Sequence, residues 1–190
     1  MVHLDPIASY AKAMRMVETQ ARKAFELGEE KEELRDAYGR NRFGQGCLLA
    51  RRLVENDVRH VEVTLGGWDT HTNNFQAVER LAGTLDKALG ALLKDLERRG
   101  MLDETIVVLC TEFGRTPGAE GTGRDHHPQG FCCWLAGGGV KRGVVHGATD
   151  ELGFHAVEDR HYVTDLHATV LHLLGLDPRK LVLPGRKRLE

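Results

Sequence analysis

Two short stretches hold the residues that could do chemistry. The first, GGWDTHTNN at residues 66–74, sets Asp69 and His71 two apart directly after an apolar run. The second, TEFGRTPGAEGTGRDHHPQG at residues 111–130, carries Glu112, Asp125, His126 and His127. A divalent metal needs three or more deprotonated nitrogen or oxygen ligands converging from rigid elements, and carboxylates with imidazoles supply that donor set. Asp69 and His71 both reach one ion if the backbone turns between them. Glu112 follows the end of a strand-like run, and RDHHP offers a carboxylate and two imidazoles, with Pro128 limiting how the chain leaves. Arg115 and Arg124 flank the same loop and suit an anionic group such as phosphate, sulfate or carboxylate. They equally suit pairing with Glu112 and Asp125 to hold the loop.

Each of these positions also has an ordinary structural explanation. An Asp ahead of a helix is commonly turn chemistry, and a His-His pair commonly offers one useful imidazole beside one packed or exposed ring. Seven of the ten histidines fall between His126 and His172, which marks that segment for attention. His167 and His172 lie on a closing helix, where His167 either backs the site or stands on the surface without a role. Other chemistries lack their motifs: the chain contains no G-x-S-x-G elbow, no P-loop and no G-x-G-x-x-G after a strand. AGGGVKRG is glycine-rich but no helix follows it, so it reads as a tight turn.

The elements that must position these loops follow from periodicity. Residues 5–27 read as a helix, with Asp5 as cap, Pro6 at its first position and Gly28 as stop. EEKEELRDAYGR predicts a short charged helix ending near Gly39, and GCLLARRLVEN predicts another. VRHVEVTL alternates as a strand does. Phe75, Val78, Leu81, Leu85, Leu89, Leu92 and Leu96 mark a long amphipathic helix, with Asn74 as cap and Gly100 as stop. TIVVLC is a β-branched, apolar run of the kind buried on both faces, and FCCWLA reads similarly. TDLHATVLHLLG predicts a last helix with Thr164 as cap and Leu166, Val170 and Leu173 or Leu174 as its apolar stripe. Strand, crossover helix, strand is the unit of a parallel sheet, which carries its working loops at the strands' carboxyl ends. The expected fold is therefore one α/β domain over residues 1–190, a mostly parallel sheet with helices on both faces. A small hairpin-rich excursion is expected at 140–162.

Composition sets limits on partners. The formal net charge of −2 provides no basic surface for nucleic acid or anionic lipid. Neither a signal-peptide core at the start nor an apolar run of membrane-spanning length is legible, and compartment stays unknown. The four cysteines lack C-x-x-C zinc spacing. Cys110, Cys132 and Cys133 lie in apolar runs and read as buried free thiols, with one disulfide as the alternative.

GWDTH, TEFGRTP, GRDHHPQGF, WLAGGGVKRGVVHGATDELG and TDLHATVLHLLGLD together resemble the family of proteins of unknown function DUF1501. That family resembles the alkaline-phosphatase-like group, which also holds sulfatases and cofactor-independent phosphoglycerate mutases. The likeness is densest from Val58 to Leu176. It implies an alkaline-phosphatase-like parallel sheet with two metal ions near a nucleophile. Asp69 and His71 match the group's Asp-then-His element at a shorter spacing than usual. Glu112 and Phe113 stand where the group has an Asp-His pair, so the carboxylate is kept and a phenyl ring replaces the imidazole. His126 or His127 fits a later ligating histidine.

The resemblance thus implies metal ligands among Asp69, His71, Glu112, His126 and His127. Arg115 and Arg124 would stand near the substrate anion, with Asp125 and His167 behind the ligands. The implied cofactor is a divalent metal, zinc first, with manganese, calcium and magnesium as alternatives. Relatives carry an additional amino-terminal half that supplies the nucleophile and often begins with an export signal, so the chain reads as the carboxyl-terminal portion. The leading expectation is a metal-dependent hydrolase of phosphate or sulfate esters. The alternative is a non-catalytic metal- or anion-binding remnant or interaction module. Expected partners are a small anionic ester, with no nucleic acid and no membrane span, and a homo-oligomer is left open.

Overall fold

A computed structural model describes residues 20–118 and 121–182. The chain divides into two compact units, Met1–Trp68 with Ala77–Leu96, and Asp69–Gln76 with Glu97–Glu190. The helix expected over residues 5–27 lies almost wholly outside the described residues. Its last part, Gln20–Phe25, forms a 3-10 turn.

The first unit is helical, and local sequence explains its helices. Helix α1 (Glu32–Tyr38) opens with Glu32 and Glu33, which favour the positive end of the helix dipole. It closes at Gly39, whose φ of 91° suits glycine alone. Helix α2 (Arg42–Glu55) starts where the Asn41 side chain accepts the Gly44 N–H at 2.9 Å. Gly44, Cys47, Leu48 and Arg51 recur at helical spacing and form its buried face. Gly44 has no room for a side chain, because a Cβ there would overlap the Tyr38 carbonyl. Helix α3 (Asn74–Arg98) buries Leu81, Ala88 and Leu96 along one stripe. Tyr38, Cys47, Leu48 and Ala88 form the core, with Leu34, Phe43, Val63 and Leu92 packed against it.

One charged network crosses this core. Arg51, 1% exposed, meets Glu30 at 2.5 Å, Glu55 at 2.5 Å and Asp95 at 3.0 Å. The Tyr38 hydroxyl donates to Asp95 at 3.1 Å, and burial beside that carboxylate pushes the phenol's pKa up. Burial raises the Glu30 carboxyl, but hydrogen bonds from Arg51 and Arg52 outweigh it, leaving the pKa below its ordinary value.

The second unit is built from short antiparallel strand pairs. Strand β1 (Ile106–Leu109) pairs antiparallel with β4 (Trp134–Gly137), Ile106 facing Gly137 and Leu109 facing Trp134. Strand β2 (Gly114–Arg115) pairs with β3 (His126–His127), and β5 (Ala148–Thr149) pairs with β6 (Ala156–Glu158) inside the 140–162 segment. Helix α4 (Val163–Leu173) follows, half-burying Leu166, Val170 and Leu173. Its start is fixed by Asp165, which accepts the Tyr162 N–H at 2.7 Å, so Tyr162 and not Thr164 holds the cap position.

The mostly parallel, alkaline-phosphatase-like sheet with helices on both faces is thus corrected. Among the described residues there are four α-helices and three two-stranded antiparallel sheets. Residues 61–65 do alternate, with Val61, Val63 and Leu65 half-buried and Glu62 and Thr64 exposed, yet they form no strand ladder. The IVVL run does form a strand, but its partner is the antiparallel β4, and Val108 and Trp134 stay exposed. Apolar composition marks a strand as fit for burial and leaves its partner and direction open, because pairing is a non-local choice. The thiols are corrected too: Cys47 is buried, while Cys110, Cys132 and Cys133 are exposed and unbridged.

Candidate metal centre

Asp69 and His71 share one side of their segment because Thr70, between them, points inward. Thr70 is buried, and its hydroxyl donates to the Asn74 side-chain oxygen at 2.6 Å. Asn73, at a φ of 52°, then turns the chain into α3. Asn74 is the helix's first residue, tied by its N–H to the Thr122 carbonyl at 2.9 Å.

That bond is one of several that join the first loop to the second. Arg124 N–H donates to the Thr70 carbonyl at 3.1 Å, and the Thr122 hydroxyl accepts the Asn73 N–H at 3.1 Å. Between them Gly123 passes so close to His71 that a Cβ would overlap the His71 carbonyl. The β2–β3 hairpin then sets Arg115 opposite His126. Within it, Thr116 N–H donates to the Asp125 carbonyl at 2.9 Å.

Three ligand atoms converge as a result. Asp69, His71 and His126 each offer one atom within 4.8 Å of the others. The focus is a single oxygen: His126 Nε2 lies 2.9 Å from Asp69 Oδ1, and His71 Nε2 lies 3.0 Å from it. Arg115 donates to the same oxygen at 2.8 Å. These donors, His126 first and Arg115 next, hold the Asp69 pKa down at about 2. His71 is fixed from behind, its Nδ1 meeting Asp125 Oδ1 at 2.7 Å.

The donor set fits a divalent metal. One carboxylate and two imidazoles are borderline ligands suited to zinc and its neighbours. The Asp125–His71 pair is the outer carboxylate that ligating histidines commonly use to fix ring and tautomer. The spacings are hydrogen-bonding distances. Metal–ligand bonds of about 2 Å in a tetrahedral arrangement would need ligand atoms roughly 3.3 Å apart, so Asp69 Oδ1 and each imidazole nitrogen would part by a few tenths of an ångström. Exposed side chains can do that. Arg115 places a positive charge at the focus, which opposes a cation there.

The other expected residues separate from this group. His127 is buried, its Nε2–H donating to the Phe154 carbonyl at 2.5 Å with the rings edge to face. Adjacent strand residues point to opposite faces, so only one of the two histidines can face the cluster. Glu112 and His167 are exposed and lie outside the three-ligand group. Arg124 donates to the Thr116 carbonyl at 3.1 Å and lies over the Phe75 ring at 5.8 Å, which makes it a loop brace. Phe75, expected on an apolar helix face, is exposed and serves that contact. Phe113 packs on His126 with ring centroids 4.3 Å apart. Thr70, Thr122 and Gly123 escaped the sequence reading, since the only signal was small residues beside the candidate ligands.

Helices, short hairpins and a loop-built cluster of two histidines and one carboxylate define the class. No helix among the described residues is long and apolar enough to cross a membrane. Within that class the chain belongs to the DUF1501 family, described as a protein of unknown function, whose sequence profile matches residues 4–189. No curated protein matches the chain, and no solved structure does.

Proposed function

We propose that Asp69, His71 and His126 bind a divalent cation, zinc first, in a hydrolase acting on phosphate or sulfate esters. The observation that carries this reading is the gathering of three ligand atoms within 4.8 Å of one another, with Asp125 fixing His71 from behind. The order of the motifs, which resembles that of the alkaline-phosphatase-like group, supports the ester class. A divalent ion held there supplies Lewis-acid polarisation of a phosphoryl or sulfuryl oxygen.

The chain's own residues do the rest. Asp69 stays ionised well into acid, so it supplies a negative ligand throughout the physiological range. Asp125 keeps the His71 ring turned, presenting Nε2. Arg115 spends one N–H on Asp69 and keeps further donors in its planar fork, which suit an ester's anionic oxygens. No residue is assigned as nucleophile.

A second reading is a non-catalytic metal- or anion-binding module. It is favoured by Phe113, a ring without a ligand atom packed on His126, and by Glu112 standing apart from the cluster. One experiment separates the two. Metal content is measured on purified chain, and hydrolysis of p-nitrophenyl phosphate and p-nitrophenyl sulfate is followed with and without chelator. Chelator-sensitive turnover lost in Asp69→Ala and His71→Ala supports the hydrolase. Bound metal without turnover supports the module, and no bound metal together with no change in Asp69→Ala and His71→Ala removes both.

A further inference from the structure

A second pair of imidazoles stands at the mouth of the β5–β6 hairpin. His146 precedes β5 by two residues, and His161 follows β6 by three. Ala148 pairs with Glu158 in the ladder, so the chain leaving it carries both histidines to the same open end. Gly147 (φ 79°) and Asp159 (φ 43°) both take left-handed backbone there. A Cβ on Gly147 would press on the Glu158 carbonyl at 3.1 Å. The approach of the two strands therefore depends on that glycine.

The geometry at this end is specific. His146 Nε2 and His161 Nε2 lie 2.7 Å apart, with ring centroids 4.9 Å apart and planes 30° from parallel. Behind His146, Asp159 Oδ2 lies 3.8 Å from Nδ1, and behind His161, Asp165 Oδ2 lies 3.6 Å from Nδ1. Asp165 is itself held at the start of α4 by the Tyr162 N–H. The two Nε2 atoms thus face each other at hydrogen-bond distance in the metal-free chain, while their outer nitrogens face acids. Ligating histidines commonly hydrogen-bond such an outer acid, which sets ring orientation and basicity, and a shift of a few tenths of an ångström brings these acids to that distance. Both rings are more than half exposed, so an ion reaches them from solvent and water can complete its shell.

We propose that His146 and His161 form a second cation site, for a borderline transition metal such as Zn2+, Ni2+ or Cu2+. Asp159 and Asp165 act as positioning residues. The site stands independently of the Asp69 cluster. All-imidazole ligation selects these ions over Mg2+ and Ca2+, which require oxygen ligands.

The test is Ni2+ binding to the full chain by equilibrium dialysis at pH 7.5, comparing wild type, His146→Gln/His161→Gln and His71→Gln/His126→Gln. The His146/His161 variant is expected to lose one bound equivalent, and the His71/His126 variant to retain it. Asp159→Asn is expected to weaken that equivalent by about tenfold. Because the first comparison counts a loss, it holds whether or not the Asp69 cluster takes metal. Zn2+ should also shift the ring-proton resonances of His146 and His161 in the unmutated chain, and excess Mg2+ should not reverse the shift. Unchanged stoichiometry and affinity in the His146/His161 variant, or ring resonances unmoved by Zn2+, would overturn the proposal.

Discussion

Replacing Asp125 by alanine removes the carboxylate that holds His71 by Nδ1 at 2.7 Å, while the same ring presents Nε2 to Asp69 at 3.0 Å. Without it, His71 can rotate and exchange tautomers, and Nε2 is no longer held at the focus. Outer carboxylates of this kind contribute about 10–100-fold to metal affinity, or roughly 1.4–2.8 kcal/mol. Both side chains are about half exposed, at 47% and 50%, so solvent screening puts the expected loss near the lower end, about tenfold. Asp125→Asn keeps an acceptor oxygen without the charge and should fall between wild type and Asp125→Ala. The assay is competition for Zn2+ against a chromophoric chelator at pH 7.5, with Asp69→Ala as the full-loss reference. Urea unfolding of the same variants should move by no more than about 0.5 kcal/mol, the ordinary range for exposed positions. If Asp125→Ala binds Zn2+ as tightly as wild type while Asp69→Ala abolishes binding, the positioning argument is refuted.

Five further outcomes are expected. Gly123→Ala should push the second loop off the His71 carbonyl, costing about 1–3 kcal/mol in thermal unfolding and more than tenfold in Zn2+ affinity; wild-type affinity would contradict the close approach. Tyr38→Phe should cost about 2 kcal/mol by urea unfolding through its lost hydrogen bond to Asp95. Asp95→Ala should cost about 3–5 kcal/mol, because it breaks a buried ion pair with Arg51. In metal-free protein the Asp69 carboxyl pKa is depressed, so its stabilising pairing holds above about pH 4 and is lost as pH falls through about 2. A carbonyl-carbon titration should place its midpoint near 2 and find it higher in Arg115→Ala. Finally, Cys47, whose thiol burial pushes up to about 11, should react with a disulfide reagent only on unfolding, whereas Cys110, Cys132 and Cys133 react in the folded chain.

The helices of the described region were legible because their determinants are local. The charged run ending at Gly39, the 44–47–48–51 face of α2 and the leucine stripe of α3 each follow from contacts three or four residues apart. The candidate ligands were legible by residue type, and Asp125 by its place beside the histidines. Strand partners were not: the parallel sheet inferred from TIVVLC and VRHVEVTL gave way to an antiparallel β1–β4 pair, with VRHVEVTL in no ladder. Pairing direction depends on which segment reaches the ladder, and composition does not encode that.

The amino-acid sequence by itself therefore determined where the α-helices of the described residues run, and it marked two loops whose carboxylates and imidazoles make up the candidate site. Tertiary structure alone decided that His126 faces Asp69 while His127 packs on Phe154, and that Glu112 stands apart. It also decided that Gly123, Thr70 and Thr122 hold the loops together. The reason is physical. A ligand's identity is a property of one residue, but its aim depends on backbone hydrogen bonds between residues some fifty positions apart, which no local pattern records.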